Sequence, residues 1–319
     1  MRLMALDCET LVIGAGPAGL TAAMYLARYR RDVLVVHDGT ARALRIPLTH
    51  NVPGFPEGVC GTDLLARMTE HATEYGARLH KALVTGLKRT ANGFTAQLDD
   101  GGAITARGVV LATGIWLNEV DLPREVHEQA IKDDVLRYCP VCDAYEHSGR
   151  EIAVLGADLH GAAEAMFLRQ YSDKVTLIPA WSDDLDADQH HELDDSDITV
   201  LRGRVTAIEP DADGITVHLA GRDGTASSHR FGILYPAFGV TPRTDLAVKL
   251  GLEVNEDGRL GALTHMKAEI PGFYAAGDIV EGLDQISVAM GHGAVAATKL
   301  HNYLRDEDDH VMSDQRPVD

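Results

Sequence analysis

Leu11-Val12-Ile13-Gly14-Ala15-Gly16-Pro17-Ala18-Gly19 is the stretch whose reading decides the fold. Three apolar residues read as a short buried strand, Leu20 to Arg30 carries helical apolar spacing, and Val33 to Val36 reads as the next buried strand. The turn between them, Gly14 to Gly19, fits G-x-G-x-x-G, so the whole is a βαβ unit with a dinucleotide-binding turn. Gly14 allows the tight turn, Gly16 lets a pyrophosphate approach the backbone, and Gly19 lets the helix close on the strand, with helix N-terminal amides facing the anion. Asp38 stands at the end of the second strand, where an acid accepts hydrogen bonds from a ribose.

The same pattern returns further along. Alternating residues around Val84 to Leu98, broken at Asn92-Gly93, predict an antiparallel segment with a hairpin turn, and Gly108 to Ala112 a buried strand ending in Thr113-Gly114. A second βαβ is expected from Ile152 to Ile178, and a second hairpin from Val200 to Leu219 turning at Asp213-Gly214. Phe273 to Asp278 and a long helix from about Ile286 to Leu304 close the chain. The repetition predicts an α/β fold with two Rossmann-like dinucleotide-binding domains, each with an added antiparallel β segment. The expected boundaries lie near Leu117 and Asp245: one discontinuous domain of 1–117 plus 246–319, interrupted by 118–245.

Composition narrows the function classes. A chain of 319 residues with 45% apolar residues has enough material for two buried cores. A net charge of −19 argues against nucleic acid or an anionic membrane surface as the main partner. No run approaches the length of a membrane span, and the first apolar run leads straight into the glycine turn, as an opening strand does and a signal peptide does not. Four cysteines are too few for a disulfide framework, so a reducing, cytoplasmic setting is expected. Arg28, Arg30 and Arg31 fall at the end of the first helix, where cations complement its dipole; a docking patch for an acidic electron carrier is the other reading.

Cys139-Pro140-Val141-Cys142, followed at once by Asp143, carries the chemistry. Two thiols at this spacing can close a small disulfide, and a neighbouring carboxylic acid can deliver the proton that a leaving thiolate needs. Two structural cysteines, or a zinc site, are the competing readings. Zinc would need two further ligands, and beyond His147 the sequence has no second C-x-x-C, with Cys8 and Cys60 standing alone. No metal site is expected.

Gly14 to Gly19, Asn51-Val52-Pro53-Gly54, Ala112-Thr113-Gly114, Ala276-Gly277-Asp278 and the C-x-x-C-Asp together closely resemble the low-molecular-weight thioredoxin reductase family over almost the whole chain. The resemblance implies an FAD-binding domain interrupted by an NADPH-domain-like insertion that carries the redox cysteines. It implies that Asn51 lies by the flavin, that Asp278 binds the ribitol chain, and that Gln285 and Ile286 place backbone amides at the flavin's pyrimidine edge. Thr113 and Gly114 belong to the same cofactor set. By the same resemblance Cys142 takes electrons from the flavin, Cys139 attacks the disulfide of a thioredoxin-like protein or a small molecule, and Asp143 is the acid. A homodimer is also implied.

The departures from the family fall in the second βαβ. Its turn reads Gly156-Ala157-Asp158-Leu159-His160-Gly161, with aspartate where a glycine admits the pyrophosphate. Like charges about 4 Å apart at an effective dielectric near 20 cost roughly 4 kcal/mol, about a thousandfold in affinity. A capping role for Asp158 at the following helix would have the same effect by occupying those amides. Where the family clamps the 2′-phosphate with a histidine and arginines, this chain has Pro179-Ala180-Trp181-Ser182-Asp183-Asp184, which offers no guanidinium. The expectation is therefore a branch without NADPH determinants, reduced by ferredoxin, by flavodoxin or through a second flavin lined by Trp181 and His160. A conventional NADPH-dependent thioredoxin reductase, a dithiol oxidase passing electrons to oxygen, and a non-catalytic flavin-binding redox sensor are the alternatives.

Overall fold

The computed structural model describes residues 6–156, 159–179, 185–221, 223–261 and 270–310. Along the chain it runs β1 (Leu6–Ile13), α1 (Pro17–Arg28), β2 (Val33–His37), α2 (Gly61–Glu74), β3 (Arg78–Lys81), β4 (Val84–Thr90), β5 (Gly93–Leu98), β6 (Ala103–Leu111) and β7 (Ile115–Leu117). Then follow α3 (Arg124–Lys132), α4 (Pro140–Asp143), β8 (Ile152–Leu155), α5 (Leu159–Leu168), β9 (Val175–Ile178), α6 (Ala187–Asp195), β10 (Thr199–Val200), β11 (Arg204–Asp211), β12 (Gly214–Ala220), β13 (Ala226–Phe231) and β14 (Ile233–Pro236). The chain ends with β15 (Val240–Pro242), α7 (Asp245–Lys249), β16 (Phe273–Ala275) and α8 (Ile286–Glu307). Compactness divides it into two units: 1–48, 52–116 and 241–319 form the first, and 49–51 with 117–240 the second.

The first unit is a seven-stranded sheet in the order β3-β2-β1-β6-β5-β4, with β16 paired to the end of β6. Strands β3, β2, β1, β6 and β16 run parallel, while β4 and β5 form the antiparallel hairpin. Both faces are covered along β2, at Leu11–Ile13 of β1 and at Val109–Leu111 of β6, which is why these stretches read as unbroken apolar runs. Leu11, Ile13, Val109 and Leu111 point into one core, and Val12 and Val110 into the other, beneath α1 and α8. Burying an aliphatic side chain of this size stabilises by about 1.5–3 kcal/mol, so these alternating positions anchor the sheet that presents the Gly14 turn.

Helix α1 starts earlier than its apolar spacing suggests. Pro17 occupies its first turn, where a fixed φ and a missing N–H suit a helix start, and the small residues after it carry no apolar signal. The helix stops at Arg28, and Arg30 takes a positive φ of 61°. Arg31 is folded in, its side chain 9% exposed and paired with Glu9 at 3.1 Å and Asp308 at 3.2 Å. It therefore serves the unit's own packing and is no part of a free basic face.

The second unit holds a parallel sheet, β10-β9-β8-β14, and a separate antiparallel sheet, β11-β12-β13. Here the expected hairpin from Val200 needs correcting: Val200 belongs to β10, paired in parallel with Leu177 of β9, and the hairpin begins at Arg204. The third strand, β13, escapes sequence reading because Ala-Ser-Ser-His-Arg-Phe is mostly polar, with four of its six residues exposed and only Phe231 buried. One face of β12, through Ile215, Val217 and Leu219, packs on Ala153, Leu155 and Leu234 of the parallel sheet. Ile152 and Val154 face the opposite core with Ala162 and Ala165 of α5. Asp158 and residues 180–184, on which the reading of the nicotinamide side rests, lie outside the described residues. Among the described residues no helix is long and apolar enough to cross a membrane.

Candidate functional site

In the first unit, the Gly14 turn, the end of β2 and the N-terminus of α8 surround a cleft of about 670 Å³. Gly14 has φ +110°, and a Cβ on Gly19 would stand 1.9 Å from the Gly14 carbonyl oxygen, so both glycines are required for the turn to close. Gly16 differs. A Cβ there would meet nothing within 4 Å, and no side chain caps α1, so its first amides are left to the cleft. That open cradle at a helix N-terminus fits a pyrophosphate.

Asp38, Thr113, Gly114, Gly277, Asp278, Gln285 and Ile286 all line this cleft. Asp38 is already engaged: its Oδ1 accepts from the Thr40 amide at 2.9 Å and hydroxyl at 2.7 Å, while Arg243 pairs with Oδ2. Burial works to raise its pKa, yet these hydrogen bonds hold it below the ordinary carboxylate value. Asp278 goes the other way, raised by burial against the pull of Arg42, whose guanidinium lies 3.2 Å from its Oδ2. Gln285 is the N-cap residue of α8 and Ile286 its first residue, with no side-chain cap. Asn51 groups with the second unit, accepting from Thr49 at 2.9 Å and donating to the Val141 carbonyl at 3.5 Å.

Arg42 and Arg243 line the same cleft, and sequence reading missed their place there. Arg42 also donates to the Asp284 carbonyl at 2.9 Å, and Asp284 is paired with Arg259 at 2.6 Å. Arg243 sits over Trp116, its Cζ 4.3 Å from the ring centroid. These arginines give the cleft cations that balance Asp38 and Asp278 and suit a doubly phosphorylated ligand. Arg42 carried a weak signal as part of a basic cluster. Arg243 carried none, because 205 residues separate it from its partner Asp38.

The second unit holds the cysteines. Cys139 and Cys142 are bonded to one another, with their Cα atoms 5.3 Å apart. Cys139 is the N-cap residue of the short α4, Pro140 starts it, and the Cys142 amide donates to the Cys139 carbonyl at 2.9 Å. This one-turn geometry is what brings two sulfurs at i and i+3 into bonding range. Asp143 follows on the same turn with its side chain 18% exposed. Tyr235 of β14 donates to its Oδ1 at 2.7 Å, and Arg137 approaches its Oδ2 at 3.1 Å. Burial pushes the Asp143 pKa up to about 7, further than Tyr235 and Arg137 pull it down. A carboxyl at that value both gives and takes a proton near neutrality.

Cys8 is buried in the first unit and Cys60 is partly covered beside Thr62, neither bonded to another cysteine. His160, on α5, pairs with Glu164 at 3.2 Å, while Trp181 lies outside the described residues.

Comparison with known proteins places this geometry in context. The pattern of the family described as "Pyridine nucleotide-disulphide oxidoreductase" matches residues 9–293. The chain is 28% identical over 309 residues to a thioredoxin reductase of Bacillus subtilis, covering 93% of this chain and 95% of that one. To a thioredoxin reductase of Streptomyces clavuligerus it is 30% identical over 311 residues, covering 93% and 94%. The crystal structure of thioredoxin reductase from Streptococcus pyogenes superposes with a TM-score of 0.87 at 25% identity, covering 95% of this chain and all of the other.

Proposed function

The chain belongs to the pyridine nucleotide-disulphide oxidoreductase family as an FAD-dependent disulfide oxidoreductase of the thioredoxin reductase type, and from that premise we propose that it reduces disulfides with electrons not drawn from NADPH. The observation that carries the reading is the bonded Cys139–Cys142 pair with Asp143 on the same turn. Bound FAD supplies an electron pair. The chain's residues hold it and manage protons: Gly14, Gly16 and Gly19 leave room for the pyrophosphate beside the α1 amides, and Arg42 and Arg243 add positive charge. Asp38, Thr113, Gly114, Gly277, Asp278, Gln285 and Ile286 shape the rest of the cleft, and Asn51 is assigned to the flavin by the family resemblance.

In this reading Cys142 accepts the electrons and Cys139 attacks the substrate disulfide, which belongs to a thioredoxin-like protein or a small molecule. Asp143 supplies and recovers the proton. The donor is ferredoxin, flavodoxin or a second flavin. Asp158 and the arginine-free run 179–184 support that part as sequence, by repulsion of the pyrophosphate and loss of a 2′-phosphate clamp. The turn's other glycines favour a second reading, a conventional NADPH enzyme, since Gly156 and Gly161 still close strand to helix as they do in a binding turn.

Cys139→Ser and Cys142→Ser test the disulfide role. With dithionite-reduced flavin as the electron source, each variant is expected to lose reduction of 5,5′-dithiobis(2-nitrobenzoate) by at least about a thousandfold, the scale on which a lost nucleophile acts. Retained turnover in either variant contradicts the reading and returns the chain to a sensor or binding role.

A further inference from the structure

Asp143 sits in a small polar network that the disulfide chemistry alone does not require. Arg137 reaches two carboxylates at once: its Nε is 3.1 Å from Asp143 Oδ2, and its terminal nitrogen pairs with Asp134. The same guanidinium donates to the Ile131 carbonyl at 2.6 Å, which fixes it in place. Asp134 holds a positive φ of 64° and is 45% exposed, so it is the solvent end of the bridge. Arg150 approaches Asp134 at 3.4 Å and His147 Nδ1 at 3.0 Å, and His147 Nε2 lies 3.6 Å from Asp134. From the strand side, fully buried Tyr235 donates to Asp143 and sets its ring edge against His147. From its own segment Asp143 faces Glu146, which is paired with His50 at 3.2 Å.

We propose that Tyr235, Arg137 and Asp134 are positioning residues that hold the Asp143 carboxyl as the proton store of the Cys139–Cys142 couple. This rests on the disulfide role assigned above. An electron pair, which bound FAD would supply, breaks the S–S bond and leaves two thiolates; Asp143 passes its proton to one of them and becomes a carboxylate. That carboxylate is then held by the Tyr235 hydroxyl and by Arg137. When the substrate disulfide is reduced, the S–S bond re-forms, the substrate leaves as two thiolates, and the thiol proton returns to Asp143.

The division of labour follows from charge. Tyr235 and Arg137 stabilise the carboxylate, whereas Asp134 repels it and also takes up part of the Arg137 charge. Removing Asp134 therefore favours ionisation of Asp143, and removing the Tyr235 hydroxyl opposes it. The two substitutions act in opposite directions on one group, which general loosening of the fold does not reproduce.

The test is the midpoint potential of the dithiol–disulfide couple in the holoprotein, equilibrated with dithiothreitol redox buffers from pH 5.5 to 9. The wild-type potential should change slope near pH 7, where Asp143 in the oxidised form titrates. Asp134→Asn should move the break to lower pH and Tyr235→Phe to higher pH, each by about one unit, the size of a charge or charge-assisted hydrogen bond at such range. Asp143→Asn should remove it. The flavin's visible spectrum reports folding of each variant, and the half-exposed Asp134→Asn and isosteric Tyr235→Phe are the mildest of them. A break that survives Asp143→Asn, or that moves the same way in both other variants or not at all, overturns the inference. If Cys139→Ser or Cys142→Ser retains turnover, the disulfide role has failed; if both are inactive and the break ignores Asp134 and Tyr235, only the network has failed.

Discussion

The turns at Gly14–Gly19 and Gly156–Gly161 close the same join of strand to helix, one in each unit, and their outer glycines do the same work. A Cβ on Gly19 would lie 1.9 Å from the Gly14 carbonyl oxygen, and one on Gly161 would lie 2.2 Å from that of Gly156. Both are backbone overlaps, so neither helix could keep its place. The middle residue is different: at Gly16 an added Cβ meets nothing, and the matching position in the second turn is Asp158. The outer glycines serve the fold, and under the proposed function the middle one serves the ligand. A turn can therefore lose its ligand and keep its fold, and the proposed function requires this of the second unit.

Moving the second turn's aspartate into the first turn puts the greatest strain on that contrast. Gly16→Asp is expected to weaken FAD binding by about a thousandfold, roughly 4 kcal/mol, while the apoprotein keeps its circular dichroism. Measured flavin retention after gel filtration decides it; unchanged flavin content would show that the middle position does not face the cofactor. Next in size, Gly19→Ala and Gly161→Ala should each cost about 3 kcal/mol of stability, the upper range for overpacking, seen as an earlier denaturant midpoint. If only Gly19→Ala destabilises, the outer glycines of the two turns are not equivalent. Smaller still, Asp158→Gly combined with Ala180→Arg and Ser182→Arg should improve NADPH binding by about tenfold or more, followed by flavin reduction at limiting NADPH. No gain would mean that more than charge separates this unit from NADPH.

Much of the first unit is legible in the sequence because its signals are local. The Gly14 turn, the βαβ around it and the 84–98 hairpin each announce themselves within a few residues, and α8 follows its apolar spacing from Ile286 onward. Strand β13 is not legible, since a polar edge strand lacks alternation, and Val200 reads into the wrong sheet because only Leu201, Arg202 and Gly203 separate two short strands that pair with different sheets. The site divides in the same manner. Cys139, Cys142 and Asp143 are neighbours in sequence, but Tyr235 meets Asp143 across 92 residues. Arg137 stands close to the cysteines in sequence, yet only the folded chain shows that it bridges two carboxylates, Asp134 and Asp143.

Whether the second turn still serves a nucleotide is decided by anaerobic mixing of the oxidised holoprotein with excess NADPH and, separately, NADH. The flavin's visible absorption is followed, with dithionite as the control for full reduction. Bleaching by dithionite and none by NADPH on the timescale of turnover is the expected result. Rapid bleaching by NADPH would contradict the proposed function and make the second turn a working nucleotide site despite Asp158.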